Sequence, residues 1–140
     1  MDTVMAAVNF LTGYMVPFIL VISLLVFVHE MGHYLVGRWC GIRSTAFSVG
    51  FGPELIGFTD KRGTRWKISA VPLGGYVKFF GDEDVSSKPD SDGLSGLTLE
   101  ERSHTLAGAK LWKRAATVAA GPIANFILAI LIFTVLFTIY

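Results

Sequence analysis

Two long apolar segments enclose a polar middle region in this chain of 140 residues. No Asp, Glu, Lys or Arg occurs in residues 3–28 or in residues 115–140. Each segment exceeds the ~20 residues that a helix needs to cross the hydrocarbon core of a bilayer. The pattern therefore predicts two transmembrane helices, and we expect the first to run from about Met15 to Val36.

The polar middle region has the alternating pattern that is typical of strands. Phe47, Val49 and Phe51 alternate with smaller or polar residues. Turn signals rich in Gly, Pro and Asp lie at residues 50–53, 60–63 and 72–75. We predict a small β-hairpin or β-meander, in which an apolar, glycine-rich loop at 65–80 re-enters the membrane interface beside the first helix.

The predicted fold class is an α-helical polytopic membrane protein with a small cytoplasmic or membrane-reentrant β insertion. We expect four regions along the chain. They are a first transmembrane helix (1–37), a β-meander with the re-entrant loop (38–81), a polar cytoplasmic loop (82–108), and an interfacial segment with the second transmembrane helix (109–140). The acidic, Ser-rich stretch 82–95 is expected to be flexible.

Charge sets the expected orientation. All 12 Lys and Arg residues lie between Arg38 and Arg114, although the formal net charge is only +1. The positive-inside rule therefore predicts that loop 38–114 is cytoplasmic and that the N-terminus lies outside. These cations are interspersed with acids, so no nucleic-acid-binding stripe is expected. Cys40 is the single cysteine, which excludes a disulfide within the chain.

The strongest chemical signal is the H-E-x-x-H pattern formed by His29, Glu30 and His33. On a helix it places two imidazoles one turn apart, with a carboxylate beside them, as a zinc peptidase requires. A chance match is the alternative. Ionisable groups are costly at membrane depth and usually persist there for a function, which favours Zn²⁺ bound by His29 and His33, with Glu30 as catalytic acid and base.

A catalytic zinc site usually has three protein ligands, and no third ligand is evident. We interpret His104 and the acidic run 82–84 as solvated surface groups, and Cys40 as a buried or interfacial thiol. Asn125 is polar at membrane depth, and a structural hydrogen bond to the first helix is its expected role. The site is therefore expected to be incomplete within these residues.

The 65–80 loop has two open interpretations. It can hold a substrate in extended form by strand addition, since Gly74 and Gly75 would admit another backbone. It can equally pack on the membrane face without touching a substrate. The sequence of the loop favours neither interpretation over the other.

Four segments together identify a family resemblance, namely VFVHEMGHYLVGRWCGI, FSVGFGP, ISAVPLGGYVKFFGDED and WKRAATVAAGPIANFILAI. The chain resembles the N-terminal part of bacterial site-2 proteases of the regulator of sigma-E protease type. The resemblance implies a multi-pass zinc endopeptidase of the bacterial inner (cytoplasmic) membrane. Its partners would be the lipid bilayer and single-pass membrane proteins, such as anti-sigma factors or remnant signal peptides.

The resemblance also implies residue roles. His29 and His33 would bind zinc, Glu30 would be catalytic, and the segment Gly74, Gly75, Tyr76 and Val77 would engage the substrate strand. The family's third ligand, an aspartate in an L-D-G motif, and its periplasmic PDZ region are absent from these residues, so we expect a fragment. Two alternatives remain, namely an inactive membrane module that binds substrate helices, or a metal-handling membrane protein.

Overall fold

Helices and one two-stranded sheet form the computed structural model, which describes residues 1–82 and 94–140. The first helical run consists of α1 (Asp2–Phe10), a π-helical turn (Leu11–Met15) and α2 (Val16–Trp39). The strands β1 (Ser44–Thr59) and β2 (Arg65–Phe79) follow. The chain continues through the short helix α3 (Leu99–Ser103) into the long helix α4 (Leu111–Ile139).

Both predicted long apolar helices are present. The run Asp2–Trp39 has 38 residues, α4 has 29, and each reaches a mean hydropathy of 2.4, which is long and apolar enough to cross a membrane. The first helix begins well before the expected Met15. The π-helical turn comes immediately before the first turn of α2, which contains Pro17. Proline has no backbone N–H, yet the helical run continues through Pro17 instead of starting there.

The β insertion consists of two long antiparallel strands joined by a turn. Its one connecting turn is at Asp60, whose carboxylate Oδ1 accepts hydrogen bonds from the backbone N–H groups of Arg62 (2.8 Å) and Thr64 (3.0 Å). The other two turn signals lie inside strands. Gly50 has φ of +92° and a Cβ there would lie 2.8 Å from the Ser69 carbonyl oxygen, so this glycine bends β1 without ending it.

The sheet folds back on itself, because the first half of β1 pairs with both halves of β2. Phe47 lies opposite Val77 and also opposite Trp66. It is 2% exposed, and its ring stacks on that of Trp66 at a centroid distance of 4.6 Å. The apolar core forms around it, between the end of α2, the sheet and the segment before α4, and includes Tyr34, Ile42, Phe47, Val77, Phe79 and Leu106.

Small residues bring α4 against α2. A Cβ on Gly32 would contact the Ala120 carbonyl oxygen and would lie 2.9 Å from the Cβ of Ala124. Such close backbone contact is typical of helices that associate in lipid. It places the middle of α4 directly over the H-E-x-x-H turn of α2.

The short helix α3 begins with a capping box. The Thr98 side chain accepts a hydrogen bond from the backbone N–H of Glu101, and the Glu101 carboxylate accepts one from the N–H of Thr98. Most of the stretch 82–95, for which flexibility was expected, lies outside the described residues.

Candidate metal centre

The two histidines of α2 converge as the pattern predicts. Their Nε2 atoms are 3.1 Å apart. His33 Nδ1 lies 2.8 Å from the backbone carbonyl oxygen of Thr117 in α4, and since a carbonyl can only accept, Nδ1 carries the proton. The Nε2 of His33 therefore keeps its lone pair and is available as a metal ligand.

The imidazoles pack directly against Gly121. A Cβ there would lie 2.5 Å from His33 Cε1 and 2.8 Å from His29 Nε2, so only glycine admits both rings in these positions. Two nitrogens bound tetrahedrally at Zn–N distances of 2.0–2.1 Å are separated by about 3.3 Å, close to the observed separation of 3.1 Å. The type and spacing of the donor atoms therefore fit a zinc ion.

Asn125 holds the other histidine from α4. Its Nδ2 lies 3.3 Å from His29 Nδ1, and its Oδ1 is buried without a partner among the described residues. The cross-helix hydrogen bond expected for Asn125 is therefore present. Rotating the amide by half a turn places Oδ1 against His29 Nδ1, which then donates, and frees His29 Nε2 to bind a metal.

Glu30 lines a cavity beside the histidines. Its half-buried carboxylate interacts with the backbone amide of Val77 in β2. The cavity measures about 310 Å³ and is lined by parts of α2, both strands and α4, including His29, Glu30, Gly75 and Asn125. The predicted base and one predicted ligand, His29, therefore share one space, and His29 Nε2 lies 3.1 Å from that of His33.

Gly74 and Gly75 have a different immediate role from the one expected. A Cβ on Gly74 would contact the ring of Phe51, and a Cβ on Gly75 would lie 2.5 Å from the Ser48 carbonyl oxygen and 2.6 Å from Val26 Cγ1. The groups that approach these glycines therefore belong to the chain itself. Substrate binding by Gly74, Gly75, Tyr76 and Val77 stays a prediction.

The remaining candidates have other contacts. The His104 ring, through Nδ1, donates to the Gly41 carbonyl at 2.7 Å, and Asp82 Oδ2 accepts from the Phe79 N–H at 3.0 Å. Cys40 packs partly buried against the apolar core. Within residues 1–82 and 94–140, no group of three or more His, Cys, Asp or Glu side chains is placed to hold a metal.

Two contributors to the site were not foreseen from the sequence. Thr117 acts through its backbone carbonyl, and a carbonyl leaves no signature in residue type. Gly121 lies in the segment WKRAATVAAGPIANFILAI that carried the family resemblance, but no role at the site was predicted for it.

Comparison with known proteins agrees with this geometry. The model of Peptidase family M50 matches residues 17–140, so the chain belongs to this family. The family resemblance inferred from the sequence is therefore confirmed.

Individual relatives carry consistent names. The chain is 85% identical over 140 residues to a protein of Agrobacterium fabrum and 72% identical over 128 residues to one of Rhizobium meliloti, both named "Putative zinc metalloprotease". It is 45% identical over 130 residues to Metalloprotease MmpA of Caulobacter vibrioides. These matches cover 100%, 91% and 87% of the chain but only 37%, 34% and 33% of the relatives. The chain thus spans about a third of their length.

Proposed function

We propose that this chain carries part of the active site of a zinc-dependent endopeptidase that cleaves the transmembrane segments of single-pass membrane proteins. One observation carries the proposal: on a helical run long enough to span a membrane, the Nε2 atoms of His29 and His33 lie 3.1 Å apart, and His29 and Glu30 line one cavity together with Gly74 and Gly75 of β2. Each part is a known requirement of metal-assisted peptide hydrolysis.

His29 and His33 would hold the zinc ion through their Nε2 atoms. Bound zinc supplies a Lewis acid that polarises the substrate carbonyl and lowers the pKa of water. The Thr117 carbonyl and the Asn125 amide would fix the two rings from α4. A third ligand would come from a residue outside those the structure describes. The family resemblance implies that this ligand is an aspartate.

Glu30 would move the proton. Its carboxylate would accept a proton from the attacking water and return it to the leaving amine. Placement beside the backbone amide of Val77 keeps the carboxylate at the cavity wall, next to the strand where a substrate would lie.

The substrate would bind as an unwound, extended segment, because a helix hides its peptide bonds from attack. Gly74 and Gly75 border the cavity, and the segment 74–77 that they begin would offer a strand edge for pairing. Anti-sigma factors and remnant signal peptides are the substrate classes that the resemblance implies. The proposed location is the bacterial inner membrane, with loop 38–114 on the cytoplasmic side.

A cleavage assay in the membranes of the native host tests this proposal. The probe is a single-pass reporter with an anti-sigma-factor transmembrane segment and a tag at each end. We expect a cut within the segment that 1,10-phenanthroline abolishes and added Zn²⁺ restores. A cut that persists in the chelator would contradict the metal mechanism. Stable capture of the uncut reporter would instead support an inactive binding module.

A further inference from the structure

A second cavity lies at the end of α2 away from the histidines. It measures about 240 Å³, and three arginines line it: Arg38 at the end of α2, Arg43 just before β1, and Arg62 in the hairpin turn. Among the residues that the structure describes, no acidic side chain lines it. Residues distant in sequence thus bring three positive charges to one small volume.

These arginines have no partner within the described part of the chain. None of the three guanidinium groups makes an ion pair or a side-chain hydrogen bond there, whereas Arg65 donates to both oxygens of Glu54. The nearest acid in sequence to Arg62 is Asp60. Its oxygens accept hydrogen bonds from two backbone N–H groups and from the Trp66 indole instead.

Tyr34 adds a hydrogen-bond donor to the wall of the cavity. The residue as a whole is only 4% exposed, and its hydroxyl has no hydrogen-bond partner among residues 1–82 and 94–140. The hydroxyl itself is not fully buried, so it is open to a ligand in the cavity. The hydroxyls of Ser44 and Thr64, in the same wall, are already paired with each other at 3.0 Å. The free donors of the cavity are therefore Tyr34 and the arginines.

The position of the cavity indicates where its ligand comes from. Arg38 is nine residues beyond His29, which is about 13 Å along a helix, and it is the first cation after the apolar segment. Its neighbour Trp39 is 75% exposed, as expected for a side chain at the headgroup level. The cavity therefore lies where lipid phosphates lie if α2 spans the membrane.

We propose that this cavity binds a phosphate group, supplied by the headgroup of an anionic phospholipid or by a free phosphate anion. Arginine forks match phosphate oxygens in pairs, and a tyrosine hydroxyl adds a donor. This site is separate from the metal centre. It depends only on the placement of α2 in a membrane and not on catalysis.

Lipid retention by the full chain in detergent tests the proposal. Native mass spectrometry measures binding of phosphatidylglycerol and of phosphatidylcholine, and ³¹P NMR measures binding of inorganic phosphate. The test variant combines Arg38→Gln, Arg43→Gln and Arg62→Gln. The matched control removes three other interfacial cations, by Lys110→Gln, Lys113→Gln and Arg114→Gln. A further variant, Tyr34→Phe, removes the hydroxyl but keeps the ring in the core.

We expect the wild type and the control to retain phosphatidylglycerol over phosphatidylcholine, and the test variant to bind it at least about tenfold more weakly. Tyr34→Phe should give a smaller loss, which checks the site if the triple variant does not fold. Binding of inorganic phosphate with the same variant dependence would identify a general phosphate site. The proposal would be overturned if Tyr34→Phe and the triple variant both retained phosphatidylglycerol as well as the wild type does. It would also be overturned if the control variant lost as much binding as the triple variant.

Discussion

Gly121 faces both imidazoles, and the absence of a side chain at this position lets both rings pack against α4. A methyl group there would lie 2.8 Å from His29 Nε2 and closer still to His33. The rings are the ends of side chains and can turn aside, so Gly121→Ala should fold but hold the two nitrogens apart. We expect zinc affinity to fall at least about tenfold.

Zinc titration by competition with a chromophoric chelator measures this effect. Gly13→Ala is the matched control, because a Cβ at Gly13 meets nothing within 4 Å. The control should bind zinc like the wild type. Unchanged affinity in Gly121→Ala would mean that the ion does not lie beside this glycine.

Asn125 is the residue whose hydrogen bond sets the tautomer of His29. Asn125→Leu removes both the donor and the buried oxygen, so the ring loses its partner. We expect a loss of about 10–100-fold in zinc affinity, the usual effect of removing such a partner. Asn125→Asp should retain much of the affinity, since a carboxylate accepts from Nδ1–H. Equal affinity in the leucine variant would exclude this role.

At the scale of single residues, the sequence predicted the members of the site that act through their side chains. The H-E-x-x-H spacing puts His29 and His33 on one helix face, and the structure joins their Nε2 atoms. The contribution of Thr117 could not be predicted, because any residue type supplies a carbonyl. The role of Gly121 could not be predicted either, since only the three-dimensional fold places imidazoles against it.

The β insertion is the element on which sequence and structure differ most. Glycine and proline signals at 50–53 and 72–75 indicated turns, yet both stretches continue as strand. At Gly50 the positive φ shifts the register between the strands instead of reversing the chain. Local signals cannot separate a bend from a turn, because the outcome depends on which segment pairs on the other side.

An exposed ion pair links the two strands of the hairpin. The Arg65 guanidinium donates to Glu54 and holds the pKa of that carboxyl below its usual range. Its contribution to stability is therefore present above the unfolded pKa of about 4.3 and is lost as the pH falls through the lower folded value. We expect Glu54→Gln to lower the melting temperature slightly at pH 7 and not at pH 2.

Differential scanning fluorimetry in detergent at both pH values measures this difference. Glu100→Gln in α3 is the control, since Glu100 makes no ion pair within the described residues. The effect should also shrink in high salt, because the pair is exposed. A penalty that is equal at pH 2 and pH 7 would show that the pair is not its cause.

At the scale of the whole molecule, the contact between α2 and α4 links the fold to the site. Small residues on α2 and α4 let the two helices touch, and this contact brings Thr117, Gly121 and Asn125 to the histidines. Two long apolar helices and a hairpin between them were predictable from hydropathy and alternation. Their mutual placement depends on the close contact of Gly32 with Ala120 and Ala124, which only the fold reveals.

The central claim is that Glu30 and the two histidines form the catalytic part of an intramembrane protease. The most direct test compares the wild type, Glu30→Gln and Glu100→Gln at equal protein levels in native-host membranes, with the doubly tagged single-pass reporter as substrate. We predict that Glu30→Gln still inserts and binds zinc but loses cleavage at least about 100-fold, while Glu100→Gln cuts normally. Undiminished cleavage by Glu30→Gln would contradict the account.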